Sequence, residues 1–110
     1  ITTDVISNIK SQMRKGILEY CILAIISRNE VYASDILETL KTAEIVVVEG
    51  TVYPLLTRMK NEGLLSYRWQ ESTGGPPRKY YSLTDDGRTL LNQLSNEWQS
   101  ICQAVNQITQ

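Results

Sequence analysis

The chain has 110 residues, of which 42% are hydrophobic and 21% are charged, with a formal net charge of −1. This length suits one domain with a modest core, and the composition is typical of a soluble folded protein rather than a disordered one. The longest apolar run, residues 20–26, is too short to span a bilayer, and no signal peptide is visible, so we expect a cytoplasmic protein. The chain begins with Ile rather than Met, which leaves room for preceding residues.

The chain has two cysteines, Cys21 and Cys102, and no histidine. This composition supports neither a zinc site nor a disulfide framework. We interpret both cysteines as buried thiols in a reducing compartment, where a bridge between them is disfavoured. Without histidine the commonest general base is missing, and the charged residues form no evident acid pair or nucleophile group. We therefore expect no enzyme, no catalytic residue, no metal and no cofactor.

The net charge hides an uneven distribution along the chain. Residues 1–49 carry five basic and seven acidic side chains, whereas residues 50–79 carry five basic and two acidic ones. Residues 80–110 carry one basic and three acidic side chains. The middle third is therefore positive and its neighbours are negative. Local charge matters more for phosphate binding than the total does.

The first helix is predicted from about residue 4 to residue 27, because apolar residues recur at steps of three and four. From Ile17 onward this helix is apolar nearly all round, as expected for a central core helix. Its earlier half keeps only a narrow apolar stripe. Either this stripe meets a partner, or this end of the helix frays and the stripe has no role.

A second helix is predicted near residues 34–42, with Ser34 or Asp35 as its cap. The apolar segment that follows, residues 44–48, is either a short strand or an extended connector. Two short helices in this arrangement, followed by a third, give the order of a helix-turn-helix.

The third helix is predicted to follow Gly50 and to end at Gly63, which can adopt the positive φ of a residue just past a helix end. Pro54 must lie in the first turn, where the missing N–H has no helical partner to lose. Four apolar residues share the inward face: Val52, Leu55, Leu56 and Met59. The other faces are polar, aromatic and basic. They could enter a DNA major groove, or they could be an ordinary solvated surface.

A β-hairpin is predicted next. Residues 64–71 alternate as a strand with one covered face, residues 72–77 form a Gly- and Pro-rich turn, and residues 78–83 form the return strand. Of the adjacent Tyr80 and Tyr81, we predict that Tyr81 enters the core.

The last helix is predicted to be capped by Thr84, with Asp85 and Asp86 in its first turn. Its apolar residues recur in steps of four and three, which is typical of a coiled-coil seam over about two heptads. A domain this small cannot bury such a seam alone, so we predict dimerisation through it. The alternative is that the seam packs back on the first helix of the same chain.

The order helix, helix, helix, hairpin, long helix resembles a winged helix-turn-helix domain. Two stretches resemble the PadR family of bacterial transcriptional repressors: residues 50–65, with Tyr53-Pro54, and residues 71–84, with Gly-Gly-Pro-Pro-Arg-Lys-Tyr-Tyr, followed by Gly87. Tyr32 fits as well, although Ala33 follows it where the family often has Gly. The resemblance spans about residues 12–87. The single C-terminal helix is similar to the shorter subfamily, whose members dimerise by pairing that helix with the partner's first helix.

The resemblance implies a mainly α fold with a small β-hairpin (α+β). Residues 1–84 would form the winged helix-turn-helix DNA-binding domain, and residues 85–110 the C-terminal dimerisation helix. It further implies a homodimeric, ligand-responsive repressor that binds a pseudo-palindromic double-stranded DNA operator, with two recognition helices in successive major grooves. The alternative is a winged-helix protein-interaction or small-molecule-binding module without operator binding.

Candidate DNA contacts lie in the third helix and in the hairpin, or wing. We predict base contacts from Tyr53, Thr57 and Arg58 on the outer face of the helix, and phosphate contacts from Gly50 and Thr51 at its start. The wing tip is predicted to approach the backbone or the minor groove, and the basic shoulder of the hairpin, Arg78 and Lys79, to contact phosphates. The full set is Gly50, Thr51, Tyr53, Thr57, Arg58, Lys60, Thr73, Gly74, Gly75, Arg78 and Lys79. Lys60 could equally be solvated, and for Arg78 and Lys79 the alternative is a charged hairpin edge that discourages aggregation.

The predicted dimer interface combines the apolar stripes of the two long helices: Ile6, Ile9, Met13, Leu94, Trp98, Ile101, Val105 and Ile108. Trp98 lies where a coiled coil prefers Leu or Ile. In some relatives a Trp on this helix lines a cavity at the dimer centre and stacks on planar drugs. The resemblance thus implies a site for a planar aromatic effector, formed by Trp98, Ile101, Cys102 and Met13. Plain packing of Trp98 at the interface is the alternative, and no membrane partner is expected.

Overall fold

The computed structural model describes residues 3–45 and 49–110. Its helices are α1 (Thr3–Arg28), α2 (Ala33–Thr42), α3 (Val52–Asn61) and α4 (Asp85–Thr109), and its strands are β1 (Val31–Tyr32), β2 (Leu65–Gln70) and β3 (Arg78–Leu83). A short 3₁₀ turn, Glu49–Thr51, leads into α3. The predicted fold class, mainly helical with a winged hairpin, is confirmed. None of the helices in the described ranges is long and apolar enough to cross a membrane.

The sheet is antiparallel, with the strand order β1-β3-β2. In the hairpin, Leu65 pairs with Leu83 at the core end, and Gln70 pairs with Arg78 near the turn. The third strand, β1, adds Val31 opposite Tyr81. The sequence predicted only the hairpin. A two-residue strand is too short to show an alternating pattern, and it forms because the chain passes beside β3 between α1 and α2.

The core lies between the second half of α1, the inner faces of α2 and α3, and the sheet. Its residues are nearly all aliphatic: Leu18, Ile22, Leu23, Ile26, Ile36, Leu37, Leu40, Val52, Leu56, Met59, Leu65, Tyr81 and Leu83. Burial of each large side chain contributes about 1.5–3 kcal/mol relative to exposure. Tyr81 is buried as predicted, and burial raises the pKa of its hydroxyl above the usual value.

Helices α2 and α3 end in the same way. After each cap, the next residue donates its N–H to the carbonyl three residues back, and the following residue donates to the carbonyl five back, at 2.9–3.0 Å. This motif needs a positive φ, which Gly63 supplies at +80° and Glu44 at +60°. Glu44 and Ile45 therefore form a helix end rather than a strand. The rest of that apolar segment, residues 46–48, lies outside the described residues.

The junction between α3, β2 and α4 is built on Thr84 and Gly87. The Thr84 hydroxyl accepts from Gly87 N at 3.0 Å and donates to Gly63 O at 2.6 Å, which confirms Thr84 as the cap of α4. A Cβ on Gly87 would lie 2.1 Å from the carbonyl oxygen of Leu64. Only glycine allows α4 to start this close to β2.

The start of α2 differs from the prediction. Tyr32 is the cap residue, and the Asp35 carboxylate accepts from its backbone N at 3.1 Å. Asp35 therefore satisfies the helix start from the third helical position, whereas Ser34 lies inside the first turn. The shift arises because β1 continues directly into α2.

Both cysteines are free thiols, and each is partly exposed rather than fully buried as predicted. Burial still raises the pKa of the Cys21 thiol. This thiol is therefore protonated at neutral pH, and its nucleophilicity is low.

Apolar side chains remain exposed along the first half of α1 and the second half of α4. They are between 39% and 83% exposed: Val5, Ile6, Ile9, Met13, Trp98, Ile101, Val105 and Ile108. Leu94, one turn before Trp98, still packs against the core. The apolar seam of α4 thus packs against the core as far as Leu94 and is exposed beyond it.

Candidate nucleic-acid interface

The outer surface of α3 divides into two flanks. Tyr53 and Thr57 lie one turn apart on the first flank, and the Thr57 hydroxyl donates to Tyr53 O at 3.2 Å. Arg58 lies on the second flank, on the side of α1. The sequence predicted all three as one base-reading set, but the structure gives the two flanks different neighbours.

The first flank opens into a groove of about 480 Å³ between α3, the start of α2 and the wing, which we call the interface groove. The residues lining it are aromatic, hydroxylic and basic: Tyr32, Ala33, Ser34, Tyr53, Thr57, Trp69, Arg78, Lys79 and Tyr81. Four predicted DNA contacts, two from α3 and two from the wing, therefore share one concave surface. A groove of this size and composition can hold a strand of sugar and phosphate.

The second flank is occupied by ion pairs within the chain. The Arg58 guanidinium donates to the carboxylates of Glu62, the cap residue at the end of α3, and of Glu19 on α1. Hydrogen bonds from Arg58 to Glu62 and Glu19 raise the pKa of Arg58 further above its usual range. All three side chains are about half exposed. Surface pairs of this kind are weak and screened by salt, so a phosphate or a base edge can compete for the guanidinium.

The wing cations Arg78 and Lys79, predicted as one shoulder, point to opposite faces of β3 because strand side chains alternate. The Arg78 guanidinium lies 5.2 Å from the Tyr32 ring centroid. The Lys79 ammonium lies 4.6 Å from the Tyr67 ring centroid and 5.6 Å from that of Trp69. Each cation is thus positioned by an aromatic ring, and both reach the rim of the interface groove.

Lys60 approaches the wing from α3. Its ammonium lies 5.7 Å from the centroid of the Tyr67 ring that also contacts Lys79. The last turn of the helix and the wing therefore place two positive charges around one aromatic side chain. Two neighbouring cations repel each other, and a phosphate bound near both would offset this repulsion.

The sequence reasoning missed an aromatic and basic stack on the outer face of the sheet. The Tyr32 and Tyr80 rings meet edge to face at 4.7 Å, and the Arg68 guanidinium lies 4.9 Å from the Tyr80 centroid. Arg68 also pairs with Glu30 at 3.1 Å. Alternation alone puts Arg68 and Tyr80 on one face, but their link to Tyr32 requires β1, which was not predicted.

The wing tip and the start of α3 are both exposed. At the tip, Gly74 has a φ of +77°, which favours glycine, and the Ser72 hydroxyl donates to Pro76 O at 2.8 Å. Before α3, a Cβ on Gly50 would meet no atom within 4 Å. Packing within the chain therefore does not require glycine at position 50, and its absent side chain leaves the backbone open to approach.

The predicted effector residues lie on the chain's two long helices, and none of them lines the interface groove. Met13 is on the exposed half of α1, and Trp98, Ile101 and Cys102 are on the exposed half of α4. In the single chain the side chains of Met13, Trp98 and Ile101 are exposed, and Cys102 is partly exposed. An enclosed site of the kind implied by the resemblance would need a second copy. Among the described residues, no three His, Cys, Asp or Glu side chains are arranged to hold a metal ion.

The winged-helix fold is common among transcriptional regulators, and the basic, aromatic interface groove lies beside its third helix. The family model of the transcriptional regulator PadR-like family matches residues 22–93. The chain belongs to this family.

Solved structures agree with this assignment. The chain is 57% identical to a PadR-like transcription factor from Bacteroides fragilis, over 93% of this chain and 99% of that one, with a TM-score of 0.75. It is 42% identical to a PadR-like transcriptional regulator from Bacillus cereus, over 90% and 97% of the two chains, with a TM-score of 0.79. Bacillus subtilis PadR in complex with operator DNA is 26% identical over 71% of this chain and 46% of that one, with a TM-score of 0.64.

Proposed function

We propose that the protein is a homodimeric repressor that binds a pseudo-palindromic operator and is released by a small molecule. The observation that carries this proposal is the interface groove, where Tyr53 and Thr57 of α3 face the same space as Arg78 and Lys79 of the wing. The operator complex of Bacillus subtilis PadR supports it, because that protein shares the fold. In this scheme residues 1–84 bind DNA and residues 85–110 form the dimerisation helix. We therefore propose a cytoplasmic location.

DNA would dock with α3 in the major groove, which is about 12 Å wide and admits a helix. Tyr53 and Thr57 would then face base edges, while the wing would follow the adjacent backbone. Lys60, Arg78 and Lys79 would neutralise phosphates on the side of the wing, and the backbone at Gly50 and Thr51 would approach a phosphate at the helix start. The wing tip, residues 73–75, would reach the backbone or the minor groove.

Arg58 reaches DNA in this scheme only by exchanging partners. In the free protein its guanidinium is shared by Glu19 and Glu62. On docking it would turn to DNA, and the two carboxylates would be left near the phosphates. The exchange makes the net gain from Arg58 smaller than that from an unpaired cation.

The test of DNA binding removes one cation from α3 and one from the wing. We expect the double variant Arg58→Ala with Arg78→Ala to lose operator binding in a gel shift while the dimer stays intact. The double variant Arg28→Ala with Arg88→Ala loses the same charge elsewhere and should still bind. Arg78→Ala alone should reduce the magnitude of the slope of log affinity against log salt by about one. Arg58→Ala alone should reduce it by less, because this guanidinium is already paired in the free protein. Unchanged binding by the Arg58 and Arg78 variant, or no salt dependence in the parent protein, would favour the protein-interaction alternative.

Dimerisation is proposed because two apolar stripes stay exposed on helices that extend past the core. Pairing α4 with the partner's α1 would cover both stripes and set two α3 helices about 34 Å apart, one turn of DNA. We expect Ile101→Asp to give a monomer in sedimentation equilibrium and to weaken operator binding. Gln103→Asp adds the same charge on another face of α4 and should stay dimeric. A dimeric Ile101→Asp variant would contradict the proposed seam.

The effector is proposed to be a planar aromatic molecule that stacks on Trp98 at the dimer centre. Glu97 is the only acidic residue in this part of α4, so a neutral ligand suits the site better than a cation. Binding would favour the dimer geometry that fits DNA poorly. We expect Trp98→Ala to abolish binding of a neutral planar dye, followed by dye fluorescence, whereas Trp69→Phe should retain it. Equal dye binding by both variants would leave Trp98 as a packing residue.

A further inference from the structure

Trp69 is an exposed tryptophan in the interface groove, and none of the roles described so far uses it. It shares a sheet face with Leu65, which is 2% exposed, yet Trp69 itself is 60% exposed. The reason is that β2 extends past the core: the covered face at Leu65 opens to solvent toward the wing tip. Tryptophan and tyrosine are enriched at interfaces, because each combines a large apolar ring with one polar group.

The indole is held by its neighbours. The Tyr67 ring meets it edge-on, with centroids 6.0 Å apart and an angle of 88°. Lys79, its partner across the hairpin, places its ammonium 5.6 Å from the indole centroid. The indole also lines the groove that Tyr53 and Thr57 of α3 line. A positioned ring beside a cation loses little conformational freedom when a ligand binds.

We propose that Trp69 contacts DNA directly, with its ring against a deoxyribose and its Nε1–H donating to a phosphate of the strand that runs between α3 and the wing. This inference rests on the proposed operator binding. The groove suits such a strand because Lys79 and Arg78 supply charge for phosphate, while the indole supplies an apolar face and one donor. Because sugar and phosphate are the same at every position, the contact strengthens binding to all sequences.

The test is a double-mutant cycle between Trp69 and Lys79, measured on operator and on random duplex DNA. Trp69→Ala should weaken binding to both duplexes by about tenfold, near the low end of the loss known for removing an aromatic ring that stacks on a base, and leave the salt slope unchanged. Lys79→Ala should lower the salt slope by about one. In the Lys79→Ala background, Trp69→Ala should still cost about tenfold. No further loss in that background would show that Trp69 only positions Lys79, and would overturn the proposal.

Trp69→Phe separates the ring from the donor. It should recover most of the affinity lost in Trp69→Ala but not all of it, since phenylalanine has no N–H. Tryptophan emission should change on DNA addition in the parent protein, and the change should be absent in Trp69→Phe. The same emission change in both proteins would count against the contact. Wild-type protein that binds no duplex would refute the proposed function itself, whereas wild-type binding with unaffected Trp69→Ala refutes only this inference.

Discussion

The two halves of α1 contain similar apolar residues in opposite surroundings. Ile22 in the second half is completely buried, whereas Ile9 in the first half is 52% exposed. Helix α4 repeats the contrast, with Leu94 against the core and Ile101 in solvent. Helical spacing of apolar residues therefore predicts the face that is apolar, but not whether this face packs on the same chain or on a partner. One half of each helix stabilises the single chain, and we propose that the other half stabilises the dimer.

Glu19 lies at the start of the second half of α1, directly after the core residue Leu18, and connects this helix to α3. It follows the last exposed apolar residue of the helix, Met13, and its carboxylate pairs with Arg58. Helix α1 is continuous over 26 residues, about 39 Å, and so connects its two halves without a break. On the proposed function, a change in dimer geometry would displace α1 and with it the partner that holds Arg58.

The largest expected effect comes from truncating matched isoleucines in the two halves. Ile22→Ala should lower the free energy of unfolding by about 2–5 kcal/mol, because it removes a fully buried side chain and leaves a cavity. Ile9→Ala should destabilise only the associated protein, because its side chain is exposed in the single chain. Urea unfolding at several protein concentrations separates the two, since a dimer-linked term varies with concentration.

The control for the two isoleucine variants is how their loss of unfolding free energy varies with protein concentration. The cost of Ile22→Ala should persist at the lowest concentration, whereas that of Ile9→Ala should vanish where monomers dominate. If the loss of unfolding free energy in Ile9→Ala does not depend on protein concentration, the proposed division of α1 is wrong. The first half of the helix would then stabilise the fold of the single chain.

A smaller pair of effects concerns the two helical glycines. Gly87→Ala should cost about 3 kcal/mol, since its Cβ would collide with the Leu64 carbonyl and push α4 away from β2. Gly16→Ala should instead stabilise by about 1 kcal/mol, because a Cβ there meets no atom within 4 Å and alanine is the better helix former. Thermal unfolding of the two variants tests both signs.

The effect of Gly16→Ala on dimerisation also shows how far along α1 the proposed dimer interface extends. If Gly16→Ala stabilises the chain but weakens the dimer in sedimentation experiments, the partner approaches α1 as far as this residue. If Gly87→Ala is neutral, the close approach of α4 to β2 is not a constraint on the fold.

Most elements could be predicted because each carries its own periodic pattern. The predicted bounds of α1 differ from the observed ones by one residue at each end, and the return strand β3 was predicted without error. The missing strand β1 has two residues and no pattern of its own. The helix end at Glu44 was also not predicted, because a positive φ at a residue other than glycine has no clear sequence signal.

The candidate site was less predictable, since it depends on contacts between distant segments. The pairing of Arg58 with Glu19 joins residues 39 apart in sequence. The exposure of Trp69 depends on how far the core extends beneath β2, which alternation does not report. Strand alternation alone could have shown two features of the site: the separation of Arg78 and Lys79 onto opposite faces, and the placement of Arg68 and Tyr80 on one face.

The smallest expected effect tests whether ligand binding at the exposed half of α1 changes DNA binding by α3 through the ion pair between Glu19 and Arg58. Glu19→Gln removes the charge that pairs Arg58 with α1, and Glu62→Gln removes the charge that pairs it with the end of α3. Each variant should therefore raise operator affinity by about threefold, as expected for the loss of a surface ion pair. Only Glu19→Gln cuts the link between α1 and α3. We therefore expect it alone to reduce the loss of operator affinity that a bound planar ligand causes, measured by fluorescence anisotropy of labelled operator. An equal ligand response in both variants would show that the dimer half of α1 does not act on α3 through this ion pair.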